Sequence, residues 1–157
     1  MRKPRLQIVR GLPGSGKSTY ATTFWPHLLR LEFDFYCHRG GVYAWGPIRN
    51  TQGQLWLDKM VKRTCKERFD FVVTGVFAGH SEHLGKTIRY ALENGYEVFV
   101  MTLNGNFGNR HACREEDLAS MRADFKPERE LMVEYKEEPD VHFGSMPSGY
   151  TIEPLNE

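Results

Sequence analysis

Val9-Arg10-Gly11-Leu12-Pro13-Gly14-Ser15-Gly16-Lys17-Ser18-Thr19 is the stretch that decides the fold. It fits the phosphate-cradling pattern G-x-x-x-x-G-K-[ST] without a gap, with Gly11, Gly16, Lys17 and Ser18 at the fixed positions. Glycine lacks a Cβ and reaches backbone angles closed to other residues, so the loop can wrap a phosphate closely. Its amides then converge at the start of a helix, where the helix dipole also favours negative charge. The Lys17 ammonium is placed to reach the β- and γ-phosphates, and the Ser18 hydroxyl to ligate Mg²⁺. Gly11, Pro13, Gly14, Ser15, Gly16, Lys17, Ser18 and Thr19 are therefore the expected nucleotide-binding residues, with Ser18 the metal ligand.

The flanks support this reading. Leu6-Gln7-Ile8-Val9 reads as a short buried strand entering the loop, and Ser18 to Trp25 continues as a helix that Pro26 stops. A strand, a glycine-rich loop and a helix in this order imply a nucleoside triphosphate, ATP being the expected one.

The 157 residues suit one domain with a sizeable core. Apolar residues make up 40% of the chain and charged residues 26%, a globular balance. Net charge is +1, so no overall basic field announces nucleic acid or an anionic membrane, and any such surface is a local patch. No apolar run approaches the roughly 18 residues of a membrane helix. Cys37, Cys65 and Cys113 lack C-x-x-C spacing, and no signal peptide is evident, which together suggest reduced thiols in a cytoplasmic setting.

Beyond the loop, strands and helices alternate. Leu28 to Phe33 reads as a second strand, Tyr36 to Asn50 as an ordered loop, and Thr51 to Arg68 as a helix with Leu55, Leu57, Val61 and Cys65 on one side. Phe69 to Val76 is a strand buried on both faces. His80 to Asn94 is a helix ended by Gly95, and Glu97 to Leu103 a strand. Glu115 to about Arg129 is a helix with three acids in its first turn. From Glu137 the chain reads as a tail, with one short strand around Tyr150-Thr151-Ile152. The expectation is an α/β fold: a three-layer core with a mostly parallel sheet, a short lid around 105–115, a domain over 1–136 and a partly ordered tail over 137–157. The nucleotide belongs at the carboxyl ends of the strands.

The glycine-rich loop, the segment Phe33-Asp34-Phe35-Tyr36, and Ala91-Leu92-Glu93-Asn94-Gly95-Tyr96-Glu97-Val98 resemble the polynucleotide-kinase-like P-loop kinases, especially members related to NEDD4-binding proteins and those of bacteriophages. Gly41, Tyr43, Trp45, Pro47, Trp56, Leu118 and Met121 add to the likeness, which spans about Leu6 to Phe125. It implies an ATP- and Mg²⁺-dependent transfer of the γ-phosphoryl group to a hydroxyl, often the 5′-OH of a nucleic acid. It also implies that the first of two adjacent acids after the second strand activates the acceptor, and that Arg110 and Arg114 are lid arginines closing over the phosphates. Two departures stand out. The usual pair of acids after the second strand reads Phe33-Asp34, and the usual Asp-Thr-Asn after the third reads Thr74-Gly75-Val76-Phe77.

Asp34 follows a strand on the side where the γ-phosphate lies, so it is the candidate base, with Glu32 in reserve on the same strand face. Phe33, Phe35, Tyr36, Tyr43 and Trp45 could stack bases of a single strand, with Arg39, Arg49 and Arg110 supplying charge, so Arg39, Tyr43 and Trp45 are the candidate acceptor-binding residues. The same aromatics also suit lid or core packing. Arg122 reads as a surface residue. His80-x-x-His83 lies at helical spacing but has too few further donors for a zinc site, and ordinary hydrogen-bonded histidines account for it. Open alternatives to a nucleic-acid end are a nucleoside, nucleotide or other small-molecule acceptor, and a nucleotide-binding regulator that transfers nothing.

Overall fold

The computed structural model describes residues 2–32, 38–39, 42–43, 47–77, 82–105 and 115–146. Among the described residues, the strands are β1 (Arg5–Gly11), β2 (Leu29–Glu32), β3 (His38–Arg39), β4 (Val42–Tyr43), β5 (Phe71–Gly75), β6 (Glu97–Leu103) and β7 (Val141–Met146). The helices described are α1 (Lys17–Phe24), α2 (Pro47–Glu67), α3 (Glu82–Glu93), α4 (Glu115–Asp124) and α5 (Glu128–Glu134). The main sheet has the order β2-β5-β1-β6-β7, and every pairing in it is parallel. Parallel neighbours need crossovers, and the helices supply them on both faces. The expected α/β fold with a three-layer core is therefore the observed one.

Alternation along β1 divides the core in two. Leu6 and Ile8 pack with Phe71, Val73, Val98 and Val100 against α2, α3 and α5, through Leu57, Val61, Leu84, Ile88, Ala91 and Leu131. Val9 points the other way and packs with Val72, Leu103 and the α1 residues Tyr20 and Ala21. Strand β1 thus sits at the centre of the sheet, between β5 and β6. Its chain leads out to β2 on one side, while β5 crosses over to β6 on the other. Order reverses at the carboxyl end of β1, which is where open parallel sheets place their ligands.

Several local expectations change. The segment expected to be one loop from Tyr36 to Asn50 contains the antiparallel pair β3 and β4, with Arg39 opposite Val42 and His38 opposite Tyr43. The following helix starts at Pro47 rather than Thr51; proline is pre-set for a first helical position and gives up no needed donor there. Within α2, Leu57, Val61 and Cys65 are buried but Leu55 is 66% exposed. Two residues advance a helix by about 200°, so Leu55 and Leu57 lie on opposite sides.

The single helix expected from Glu115 to about Arg129 is two. Pro127 holds the N-cap of α5 in an extended conformation, φ −66° and ψ 155°, and proline disfavours helical geometry in the residue before it. The region around Tyr150 lies outside the described residues. Before it, β7 pairs with β6 from Val98↔Val141 to Leu103↔Met146, so the sheet continues past residue 136.

Cys65 is fully buried against this core, and burial pushes its thiol up to about 12. It is expected to resist iodoacetamide in the native protein at neutral pH and to react only on unfolding, since the thiolate is the nucleophile. Peptide mapping after native and denaturing alkylation checks this. Equal labelling of Cys65 in both conditions contradicts its place in the core.

Candidate active site

The loop between β1 and α1 closes as its sequence requires. The Ser15 amide donates to the Leu12 carbonyl at 3.0 Å, and the Tyr20 amide to that of Gly16 at 2.9 Å. Gly16 is the N-cap of α1 at φ 91°, a left-handed conformation that side chains resist, and no side-chain cap closes the helix start. A Cβ on Gly11 would lie 2.3 Å from Ser15 Oγ and 2.9 Å from the Leu103 carbonyl oxygen, so no larger residue fits without moving β6 or the loop. The eight residues assigned to the nucleotide, Gly11, Pro13, Gly14, Ser15, Gly16, Lys17, Ser18 and Thr19, thus form one loop and first helical turn at the sheet's switch point.

Lys17 Nζ donates to the carbonyls of Gly11 at 2.8 Å and Leu12 at 3.1 Å. The ammonium is folded over the mouth of its own loop, where a triphosphate's oxygens can replace those carbonyls. Ser18 Oγ donates to Glu32 Oε1 at 2.8 Å. Glu32 is the last residue of β2, its side chain only 8% exposed, and Arg30 Nε lies 3.2 Å from the same oxygen. Arg30 also donates from Nη1 to Thr22 Oγ1 and so ties β2 to α1. Glu32, held in reserve in the sequence reading, is the acid that meets the P-loop serine.

Beneath the loop lies a group that sequence reasoning missed. Arg10, the residue before Gly11, is fully buried. Its Nε donates to the Phe77 carbonyl at 2.9 Å, Nη1 to Thr102 Oγ1 at 3.0 Å and Nη2 to the Lys126 carbonyl at 2.6 Å. Its Cζ stands 4.1 Å from the centre of the Phe125 ring, within cation–π range. Burial lowers its pKa to about 10, with Glu128 opposing that shift, so the guanidinium stays protonated at neutral pH. Phe77 adopts φ 42°, uncommon for a bulky residue. One cation therefore joins β1, the end of β5, β6 and the junction of α4 with α5. The sequence signal was an arginine directly after the apolar pair Ile8-Val9 in a central strand.

Asp34, Trp45, Arg110 and Arg114 lie outside the described residues, as do His80 and Cys113. Arg39 and Tyr43 fall on the backbone of the β3–β4 pair, and their side chains are outside the description. His83 Nδ1 lies 3.8 Å from Asp58 Oδ2. Arg122 is an exposed residue 3.6 Å from Glu115. Among the described residues, no helix is long and apolar enough to cross a membrane.

No family model matches the chain. Solved structures do. A candidate kinase from Chloroflexus aurantiacus aligns over 97% of this chain and 93% of its own, with a TM-score of 0.64 and 13% identity. A chain of the Pnkp1/Rnl/Hen1 RNA repair complex aligns over 77% of this chain at a TM-score of 0.54 and 19% identity; the match spans 37% of that longer chain. The APS kinase CysC of Mycobacterium tuberculosis, in complex with AMPPNP and APS, aligns over 99% of this chain and 86% of its own, with a TM-score of 0.51 and 14% identity. At such identities the likeness is one of fold. The five-stranded parallel sheet, with its phosphate loop after the central strand, is the fold of the P-loop kinases.

Proposed function

We propose that this protein is an ATP- and Mg²⁺-dependent phosphotransferase that moves the γ-phosphoryl group to a hydroxyl, with the 5′-OH of a nucleic acid as its leading acceptor. One observation carries the reading. At an uncapped helix start on the sheet's switch point, Lys17 folds over the loop carbonyls and Ser18 meets a buried carboxylate, Glu32. Phosphoryl transfer demands little covalent chemistry from a protein; it needs positioning and cations aimed at the β- and γ-phosphates. ATP supplies the group transferred, and Mg²⁺ neutralises its phosphate charge when bound. Ser18 and Glu32 fit a hard divalent cation because both offer oxygen.

In this reading Asp34 orients the acceptor hydroxyl and takes its proton, and Arg110 and Arg114 close over the phosphates from a lid around 105–115. Arg39, Tyr43 and Trp45 hold a single-stranded end by charge and stacking. The 5′-OH preference draws on the resemblance to polynucleotide-kinase-like proteins and on the fold shared with a chain of an RNA repair complex. A small-molecule acceptor is the second reading, favoured by the near-complete alignment with an APS kinase and by a net charge of +1.

A screen with ATP labelled at the γ-phosphate, over 5′-OH DNA, 5′-OH RNA, nucleosides, nucleotides and small hydroxyl metabolites, tests the proposal. Single-stranded 5′-OH oligonucleotides are expected to be labelled, and labelling to fall with added salt. Asp34→Asn keeps the shape but cannot accept a proton, so turnover is expected to drop about 10²–10⁴-fold with ATP affinity nearly unchanged. Preferential labelling of small molecules selects the second reading. ATP binding with no transfer to any acceptor leaves a nucleotide-binding regulator.

A further inference from the structure

The identity of the acid that serves the metal follows from the sheet register. P-loop enzymes hold Mg²⁺ with the loop's Ser or Thr and an aspartate from a strand end nearby. Here β5, the strand beside β1, ends in Thr74-Gly75-Val76-Phe77 with no acid, and the Phe77 carbonyl is taken by Arg10. The next strand out is β2, and its register sets Glu32 directly beside Thr74. Val72 faces α1, so Thr74, two residues on, shares that face. Register partners in parallel strands point to the same side, and the Ser18 contact shows that Glu32 does so. A carboxylate missing from one strand end is thus present on its registered neighbour, one strand spacing of about 4.8 Å away.

Glu32 is also fixed in place. Its side chain is almost wholly buried, and Ser18 and Arg30 meet the same oxygen, Oε1. Arg30 is in turn anchored to Thr22 on α1. A carboxylate that served only to neutralise Arg30 would have no need to meet the P-loop serine. We propose, resting on the phosphotransferase reading above, that Glu32 is the carboxylate of the Mg²⁺ site, paired with Ser18 and completed by the nucleotide's own phosphate oxygens. Asp34, two residues further along the chain, is then left to the acceptor. Arg30 is a positioning residue for Glu32.

The test is nucleotide affinity rather than turnover. Calorimetry measures binding of a non-hydrolysable ATP analogue to the whole protein, with Mg²⁺ and with a chelator in its place. The gain in affinity from Mg²⁺ is the quantity compared between wild type and variants. Glu32→Gln is expected to keep metal-free binding and to lose roughly 10–100-fold of the Mg²⁺ gain, the usual scale for a residue holding a metal's ligand sphere. Adding Thr74→Asp to Glu32→Gln returns a carboxylate to the neighbouring strand end and is expected to restore much of the gain. Should Glu32→Gln fail to fold, Glu32→Asp keeps the charge with a shorter reach and is expected to show a reduced gain. An unchanged Mg²⁺ gain in Glu32→Gln, or in Glu32→Asp where only that variant folds, overturns the assignment. So does reduced turnover with the gain intact, which makes Glu32 a proton acceptor. Absence of any nucleotide binding by the wild type brings down both this inference and the reading on which it rests.

Discussion

Replacing Lys17 with alanine is expected to cut transfer by about 10²–10³-fold and to weaken ATP binding. The Lys17 ammonium already sits over the loop mouth, on the carbonyls of Gly11 and Leu12, so it needs no large rearrangement to meet an incoming phosphate. Its charge is worth most where phosphate charge builds up during transfer. Loss of one pre-placed donor to such a transition state costs about 10²–10³ in turnover. In the proposed function Lys17 also meets the ground-state phosphates, so affinity is expected to fall alongside turnover. The variant should fold normally, since the side chain is only half-buried and its hydrogen bonds to Gly11 and Leu12 lie within its own loop. Calorimetry with ATP and circular dichroism on one preparation check both halves. ATP affinity unchanged in Lys17→Ala contradicts the nucleotide site.

The second large effect is on stability. Arg10→Met keeps an unbranched side chain of similar length but removes the guanidinium. The carbonyl of Phe77 and the hydroxyl of Thr102 then lose a donor in buried surroundings, and the part-buried carbonyl of Lys126 loses one as well. Each buried polar group left unsatisfied costs about 1–3 kcal/mol. Two such groups bring the loss to roughly 2–6 kcal/mol, a large share of the about 5–15 kcal/mol typical of a whole domain. A urea melt should show the midpoint moving far to lower denaturant, with the slope little changed. A shift worth less than about 1 kcal/mol means that the three contacts do not stabilise the fold as described. Lys17→Ala should act on binding with stability preserved, and Arg10→Met on stability first, so the pair separates the loop's chemistry from its foundation.

How much of this was legible in the sequence depends on what each residue answers to. The phosphate loop was readable because its task is a backbone task. The close approach at Gly11 and the left-handed angle at Gly16 admit almost nothing but glycine, so the pattern survives as letters. Buried parallel strands β1, β5 and β6 were readable because both faces are covered and their apolar runs are nearly continuous. Strand β7 was not. It is an edge strand reading V-H-F-G-S-M, and a Cβ on its Gly144 would come within 2.9 Å of Met101 Cε. Half of such a strand answers to solvent, and its pattern fades.

The role proposed for Glu32 was hidden for another reason. Whether an acid at the end of β2 meets the nucleotide's metal or its acceptor depends on register with β5 and on how α1 lies, and both are properties of the folded chain. The break at Pro127 was visible as a letter, but the acidic helical pattern on its N-terminal side outweighed it. Leu55 was a simpler error of phase, four-residue spacing being read where the step was two.

The position of β1 also bears on how the molecule comes into being. Leu6 lies near the start of the chain, yet its partners are Phe71 on one side and Val98 on the other. As the ribosome delivers this chain, β1 waits, apolar and with both edges bare, until Phe71 to Gly75 has followed, and its second edge waits for Glu97 to Leu103. The far edge of β6 stays bare until Val141 to Met146 has emerged. Pairings so distant along the chain close slowly, and bare edges invite pairing with other nascent copies. The nucleotide loop is therefore synthesised early but acquires its shape late, and the yield of folded protein in the cell depends on what shields that first strand in the interval.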